Sequence, residues 1–213
     1  MKKLPLLFLL LFLPLHVLAQ DAAASYVRQA GVNIPFLRAA LAPSYSFLYN
    51  GTPRADTLGF REGVLVYAGK NYPGLLLDLD AVEQHVLVQL PGSPVVLDVG
   101  QKQIGSFSRG DVVYVNLLAM GLNVQPGFYE QMGQGRGAVY RKVSKSLRHL
   151  STLEVSARGL IGYEDPHYRP LLLDYFEYAE VWYLIREDGG VQRLRNKRQI
   201  NKAYQYIQRH ETN

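Results

Sequence analysis

The sequence predicts a mainly β protein built from antiparallel hairpins in a meander, either a sandwich or an open barrel. Short N-terminal helices precede the strands and an amphipathic helix closes the chain. Three observations carry this expectation. Short runs rich in Val, Leu and Tyr recur between Gly, Asn, Asp and Pro clusters from residue 45 onward. No strand–helix–strand alternation interrupts them, which argues against a parallel sheet. Near the C-terminus the spacing of apolar residues switches to a helical period.

The elements follow in order. Met1-Lys2-Lys3 is basic, and Leu4 to Ala19 carries no charge, contains Pro5 and Pro14, and ends Val17-Leu18-Ala19. A basic start, an apolar middle and small residues at −3 and −1 define a secretory signal peptide over residues 1–19. A spanning helix needs about 20 apolar residues, and two prolines in a shorter run disfavour one. Residues 20–44 mix Ala, Val, Leu and Arg and are expected to hold one or two short helices, broken by Gly31 and Pro35 and ended by Pro43. Residues 45–213 form a single β-rich domain in this reading.

Within that domain, Ser46 to Tyr49 is closed by the turn dipeptide Asn50-Gly51. Gly63 to Tyr67 turns through Ala68-Gly69-Lys70-Asn71 into Tyr72 to Leu77. His85 to Leu90 turns through Pro91-Gly92-Ser93-Pro94 into Val95 to Leu97. Asp111 to Val115 reads as a strand, preceded by Ile104 and Phe107 at looser spacing. Phe128 to Met132 pairs with Ala138 to Val143 across Gly133-Gln134-Gly135-Arg136-Gly137, and Val181 to Ile185 turns at Asp188-Gly189-Gly190 into Val191 to Leu194. Over 197–210, Ile200, Ala203, Tyr204 and Ile207 fall at i, i+3, i+4 and i+7. Asn196, with Gln199 three residues later, forms a capping-box pattern at its start.

Charge and composition narrow the function classes. The 213 residues hold 23 Lys+Arg and 18 Asp+Glu, a formal charge of +5. Loss of residues 1–19 removes Lys2 and Lys3 and leaves +3, while the stretch from Arg186 onward alone carries +4. A near-neutral body with a basic end is not a nucleic-acid binder. The absence of cysteine excludes disulfides, thiol nucleophiles, Cys-ligated metals and a lipid anchor on cysteine.

Several motifs fail on inspection. Gly133 to Ala138 matches G-x-G-x-x-A, but the residues after it alternate like a strand where a dinucleotide site needs a helix. Gly69-Lys70 lacks the earlier glycine of a phosphate loop, since position 64 is valine. No G-x-S-x-G and no H-E-x-x-H occurs. No motif implies a cofactor or a dedicated metal site.

Three groups of candidates remain. Asp78 and Asp80 lie on one face of a strand, with Glu83 and His85 nearby, and Glu164 and Asp165 occupy a polar loop. Paired carboxylates of this kind serve acid–base hydrolysis. Tyr175, Tyr178 and Trp182 lie in a stretch with five aromatics in nine residues, suited to stacking on a ligand or to filling a core. Arg193, Arg195, Lys197, Arg198 and Lys202 form a basic strip for an acidic partner or for solvent.

With the elements placed, the chain resembles a group of uncharacterised exported proteins common in Bacteroidetes-type bacteria. The stretches that carry the resemblance are Leu48 to Gly51, Gly63 to Tyr72 with Leu76 to Leu79, Gly127 to Glu130 with Val139 to Lys142, and Trp182 to Ile185 running to Asn196-Lys197-Arg198. The resemblance implies export and a β-rich build, and supplies no catalytic residues. The expected function is an exported, non-enzymatic binding or scaffolding module at the cell envelope, periplasmic or extracellular, with a protein or a glycan as partner and no transmembrane anchor. The alternative is a hydrolase of envelope or dietary polysaccharide using the carboxylates above.

Overall fold

The structure is a computed structural model and describes residues 35–45, 49–90, 92–133, 138–149 and 174–211. It is mainly β, with eleven strands in one antiparallel sheet: β1 (Ala40–Leu41), β2 (Arg61–Tyr67), β3 (Lys70–Asp80), β4 (His85–Gln89), β5 (Val96–Val99), β6 (Ile104–Arg109), β7 (Val112–Val115), β8 (Tyr129–Met132), β9 (Ala138–His149), β10 (Asp174–Ile185) and β11 (Val191–Leu194). One helix, α1 (Lys197–Glu211), follows. The strands lie in the order β1-β5-β4-β3-β2-β6-β7-β8-β9-β10-β11. Most neighbours in the sheet are neighbours in sequence, as a hairpin meander requires.

The expected hairpins are present. Those of β2–β3 and β10–β11 close at the turns read from the sequence, and the strands of β4–β5 and β8–β9 pair as expected, with antiparallel register throughout. β3 is longer than its apolar run because Pro73 and Gly74 are absorbed in a bulge. Gly63 pairs with Leu75 and Val64 with Pro73, so Gly74, at φ 71°, is the extra residue. Gly63 is required for a different reason. A Cβ there would meet the Ser108 carbonyl oxygen at 1.8 Å, so only glycine lets β2 pass β6 this closely.

The N-terminal expectation is met in part. Residues 35–38 form one 3₁₀ turn, but Ala40–Leu41 is a strand, paired with Asp98 and Leu97 of β5 at the sheet edge. Phe36, fully buried, meets the rings of Tyr67 and Tyr72 edge-on, which ties this segment to the sheet. The signal-peptide residues 1–19, residues 20–34 and most of the Ser46–Tyr49 run lie outside the described residues.

The sheet curls without closing into a barrel. The Lys145 amide donates to the Ala81 carbonyl at 2.8 Å, bringing β9 to the turn after β3. Gln84 stitches this seam: its Nε2 donates to the carbonyls of Ala81 and Val143, and its Oε1 accepts from the Phe128 amide. These are single contacts and not a strand ladder.

Three cores result. The largest lines the concave side of β2 to β7, with Leu65, Leu75, Leu77, Leu79, Val86, Val88, Ile104, Phe107 and Phe128 fully buried. A second packs Tyr129, Tyr140 and Tyr183 against Leu117 and Val124 of the β7–β8 loop. On the opposite face of β9–β11, the helix lays Ala203 and Ile207 on Val139, Leu184 and Leu194, with Ile200 and Tyr204 beside them. The apolar stripe read from the sequence is therefore the docking face.

The helix start follows its pattern with one change. Asn196 Oδ1 accepts from the Gln199 amide at 2.9 Å, but the Gln199 side chain reaches the Arg195 amide and not that of Asn196. Replacing Asn196 with alanine removes an acceptor for an otherwise unpaired first-turn donor, at an expected cost of about 1 kcal/mol. Urea unfolding of the two proteins checks this.

Candidate functional site

The carboxylates singled out in the sequence have structural partners. Asp78, on β3, is 1% exposed; Arg109 Nη1 of β6 lies 2.5 Å from its Oδ1, and Arg54 Nε lies 3.8 Å from its Oδ2. Arg109, 2% exposed, also binds Asp56. Burial raises the Asp78 carboxyl above its usual range, opposed by the Leu79 amide and by the two arginines. Asp56 is half-exposed, and its carboxyl ends below the usual range: burial raises it, but hydrogen bonds from Arg109 and the Leu58 amide outweigh that.

Asp80 has a different task. Its Oδ1 accepts from the amides of Val82 and Glu83, and Oδ2 accepts from the Tyr45 hydroxyl at 3.1 Å. It caps the turn that carries Gln84. Both carboxylates are thus committed to holding the end of β3. Glu164 and Asp165 lie outside the described residues.

Tyr114 of β7 stacks on Phe107 at 4.7 Å between ring centres and 9° between planes. Burial pushes its hydroxyl up to about 12. The folded state then keeps a proton that an unfolded tyrosine gives up near pH 10, so stability falls as pH rises from about 10 to about 12. The difference corresponds to about 2–3 kcal/mol. Urea unfolding at pH 8 and pH 11 checks this; the Tyr114→Phe variant is expected to lose less.

The aromatic candidates sit on β10, and the sequence run understated their setting. β9 and β10 pair over twelve residues each, from Ala138↔Ile185 to His149↔Asp174. Their proximal halves are core. Ser146–His149 of β9 and Glu177–Glu180 of β10 are exposed residue after residue, whereas Asp174–Phe176, opposite Leu147–His149, are half-buried and Phe176 meets the rings of Tyr45 and Tyr49 edge-on. Period-two alternation puts Tyr178 and Trp182 on the helix side of this ribbon and Tyr175 on the other. The three do not make one stacking platform.

Trp182 in particular is engaged. Its ring meets Tyr204 of the helix edge-on, the Arg141 guanidinium lies 5.6 Å from its ring centre, and its Nε1 donates to Glu180 at 2.9 Å. Glu180 also accepts from the Tyr178 hydroxyl. Tyr178 itself remains 50% exposed. Cross-strand pairs Arg148–Glu177 and His149–Asp174 line the tip.

One edge of this ribbon is open. Asn50 bridges β10 at Tyr175, its amide donating to the Asp174 carbonyl and its carbonyl accepting from the Phe176 amide. β11 takes up the same edge only at Trp182. Even-numbered residues of β10 therefore direct their backbone groups to this edge. Between the two contacts, the backbone groups of Tyr178 and Glu180 meet no strand among the described residues.

The basic candidates are surface residues. Arg193, Arg195, Lys197, Arg198 and Lys202 are all exposed, and none forms an ion pair among the described residues.

A cleft of about 600 Å³ lies at the other end of the sheet, between the 3₁₀ turn at 35–38 and the β5–β6 connection. His85 Nδ1 and Asp98 Oδ1 sit 2.7 Å apart on its wall, off the line of a well-formed hydrogen bond. Sequence reading grouped His85 with Asp78, Asp80 and Glu83; its actual partner comes from β5, through a strand register that no local pattern reveals.

No protein-family model, curated protein or solved structure matches the chain. Among the described residues, no helix is long and apolar enough to cross a membrane.

Proposed function

We propose that this protein is an exported, non-enzymatic binding module of the bacterial cell envelope, and that its partner is a protein segment added as a strand to the open edge of β10. The observation that carries this reading is the β10 edge at Tyr178 and Glu180, which are exposed and whose backbone groups meet no strand among the described residues. An unpaired edge offers N–H and C=O groups in the spacing that an extended peptide needs. Glu177 and Glu180 of β10 keep that edge charged, which disfavours pairing between copies of the chain. The hydrolase alternative finds no support in Asp78 and Asp80, which are held by Arg109 and by a turn.

Peptide display and a glycan array on the mature protein test the proposal. Expected are extended peptides whose affinity falls at least tenfold in Tyr178→Pro, while Tyr178→Ala binds within a few-fold of the parent. Proline at 178 removes an amide that points away from β9, so the β9–β10 ladder is kept. Glycans as the selected ligands, or equal binding by the proline variant, would contradict strand addition.

A further inference from the structure

We infer that the cleft between the 3₁₀ turn and the β5–β6 connection is a second binding site, for a small organic acid with one carboxylate and an apolar or aromatic body. Its volume of about 600 Å³ is that of a small-molecule site. Its wall divides by chemistry. Pro35, Tyr67 and the largely buried Phe36 and Val99 supply apolar lining; Arg38, Lys102 and His85 supply polar lining.

The charges favour an anion. Arg38 and Lys102 are exposed, and neither has an ion-pair partner among the described residues. Among the described lining residues Asp98 is the one acid, and its Oδ1 lies 2.7 Å from His85 Nδ1. His85 Nδ1 faces that carboxylate, so the imidazole's other nitrogen is the one turned away from it. That nitrogen looks past Gly100, where an added Cβ would stand 4.0 Å from it. A carboxylate reaching Arg38 and Lys102 would receive charge-assisted hydrogen bonds, and Arg38 can supply two of them.

The lining also argues for binding over covalent chemistry. Among the described lining residues there is no Ser, Thr or Cys for His85 to activate. The site lies on β4 and β5, several strands away from the β10 edge, so it stands or falls independently of the proposal above.

Benzoate is the probe, with benzamide as its neutral counterpart and inorganic phosphate as an anion without an apolar body. Amide chemical shifts followed by NMR are expected to move at Gly100, Gln101, Lys102 and Gln103 on benzoate addition. Arg38→Glu and Lys102→Glu together should weaken benzoate at least tenfold. Gly100→Leu should abolish the shifts; Gly100 has extended backbone, φ −64° and ψ 161°, which leucine adopts without strain, so folding is retained. Shifts that benzamide or phosphate reproduce at equal concentration would overturn the inference, as would benzoate shifts that survive the double charge reversal.

Discussion

Arg109→Leu is expected to lower the free energy of unfolding by about 3–5 kcal/mol, the usual cost of stripping one partner from a buried ion pair. The arginine is 2% exposed and binds Asp78, which is 1% exposed. Leucine leaves the Asp78 carboxylate with the Leu79 amide and, among side chains, with Arg54 at 3.8 Å. Asp56 adds little to the cost, since water reaches it once Arg109 is gone. A double variant tests the mechanism. Removing both charges, as in Asp78→Leu with Arg109→Leu, should recover much of the loss, because desolvation and attraction disappear together.

The deficit should also depend on pH. The folded-state carboxyl of Asp78 already titrates above its unfolded value, so its contribution is full below the unfolded value and is lost as pH rises through the folded one. Without Arg109 the folded value rises further. The Arg109→Leu deficit is therefore smaller at pH 5 than at pH 8, and urea midpoints at the two pH values measure the difference. A pH-independent deficit would mean that lost packing, and not a stranded charge, is the cause.

Phe107→Ala is the second large effect, again about 3–5 kcal/mol, from lost transfer energy and the cavity left behind. Phe107 sits in the centre of β6, 1% exposed, paired across β2 to Leu65 and across β7 to Tyr114. Its ring stacks on Tyr114 and meets Phe128 edge-on at 5.2 Å. The largest core is held at this point from three strands. Phe107→Leu keeps most of the volume and should cost less than half as much. A loss below about 1 kcal/mol for alanine would show that the curled sheet collapses into the space, contrary to the close packing inferred here.

These two sites differ in how far the sequence discloses them. Phe107 is legible as core, being aromatic in a run that leads into Asp111 to Val115. Nothing local separates Arg109, beside the Gly110-Asp111 turn, from a solvated strand-end arginine. Its burial depends on β2 passing tightly between β3 and β6 at Gly63, a long-range fact. The hairpins were readable because each is local: a turn dipeptide and two flanking runs. The helix and its face were readable for the same reason.

Strand lengths were less so. Ser144 to His149 is polar apart from Leu147, and Tyr175 to Glu180 mixes aromatics with acids, so neither alternates as a half-buried strand does. They are strands because they pair with each other beyond the body of the sheet. That failure of the alternation rule marks the ribbon on which the binding proposal rests. The aromatic run was noticed, but its open edge depends on where Asn50 and β11 stop, which only the fold determines. The His85–Asp98 contact is hidden likewise, since it is a diagonal contact between residues thirteen apart that the β4–β5 pairing brings together.

Amide hydrogen exchange along β10 in the free protein tests the binding proposal most directly. Glu177 and Ala179 bond to Ser146 and Ser144 of β9, whereas Tyr178 and Glu180 point to the open edge. The expected result is alternating protection: slow exchange at 177 and 179, fast exchange at 178 and 180, with the latter slowed on adding a selected peptide. Slow exchange at Tyr178 and Glu180 in the free protein would show the edge already covered, and strand addition there would be excluded.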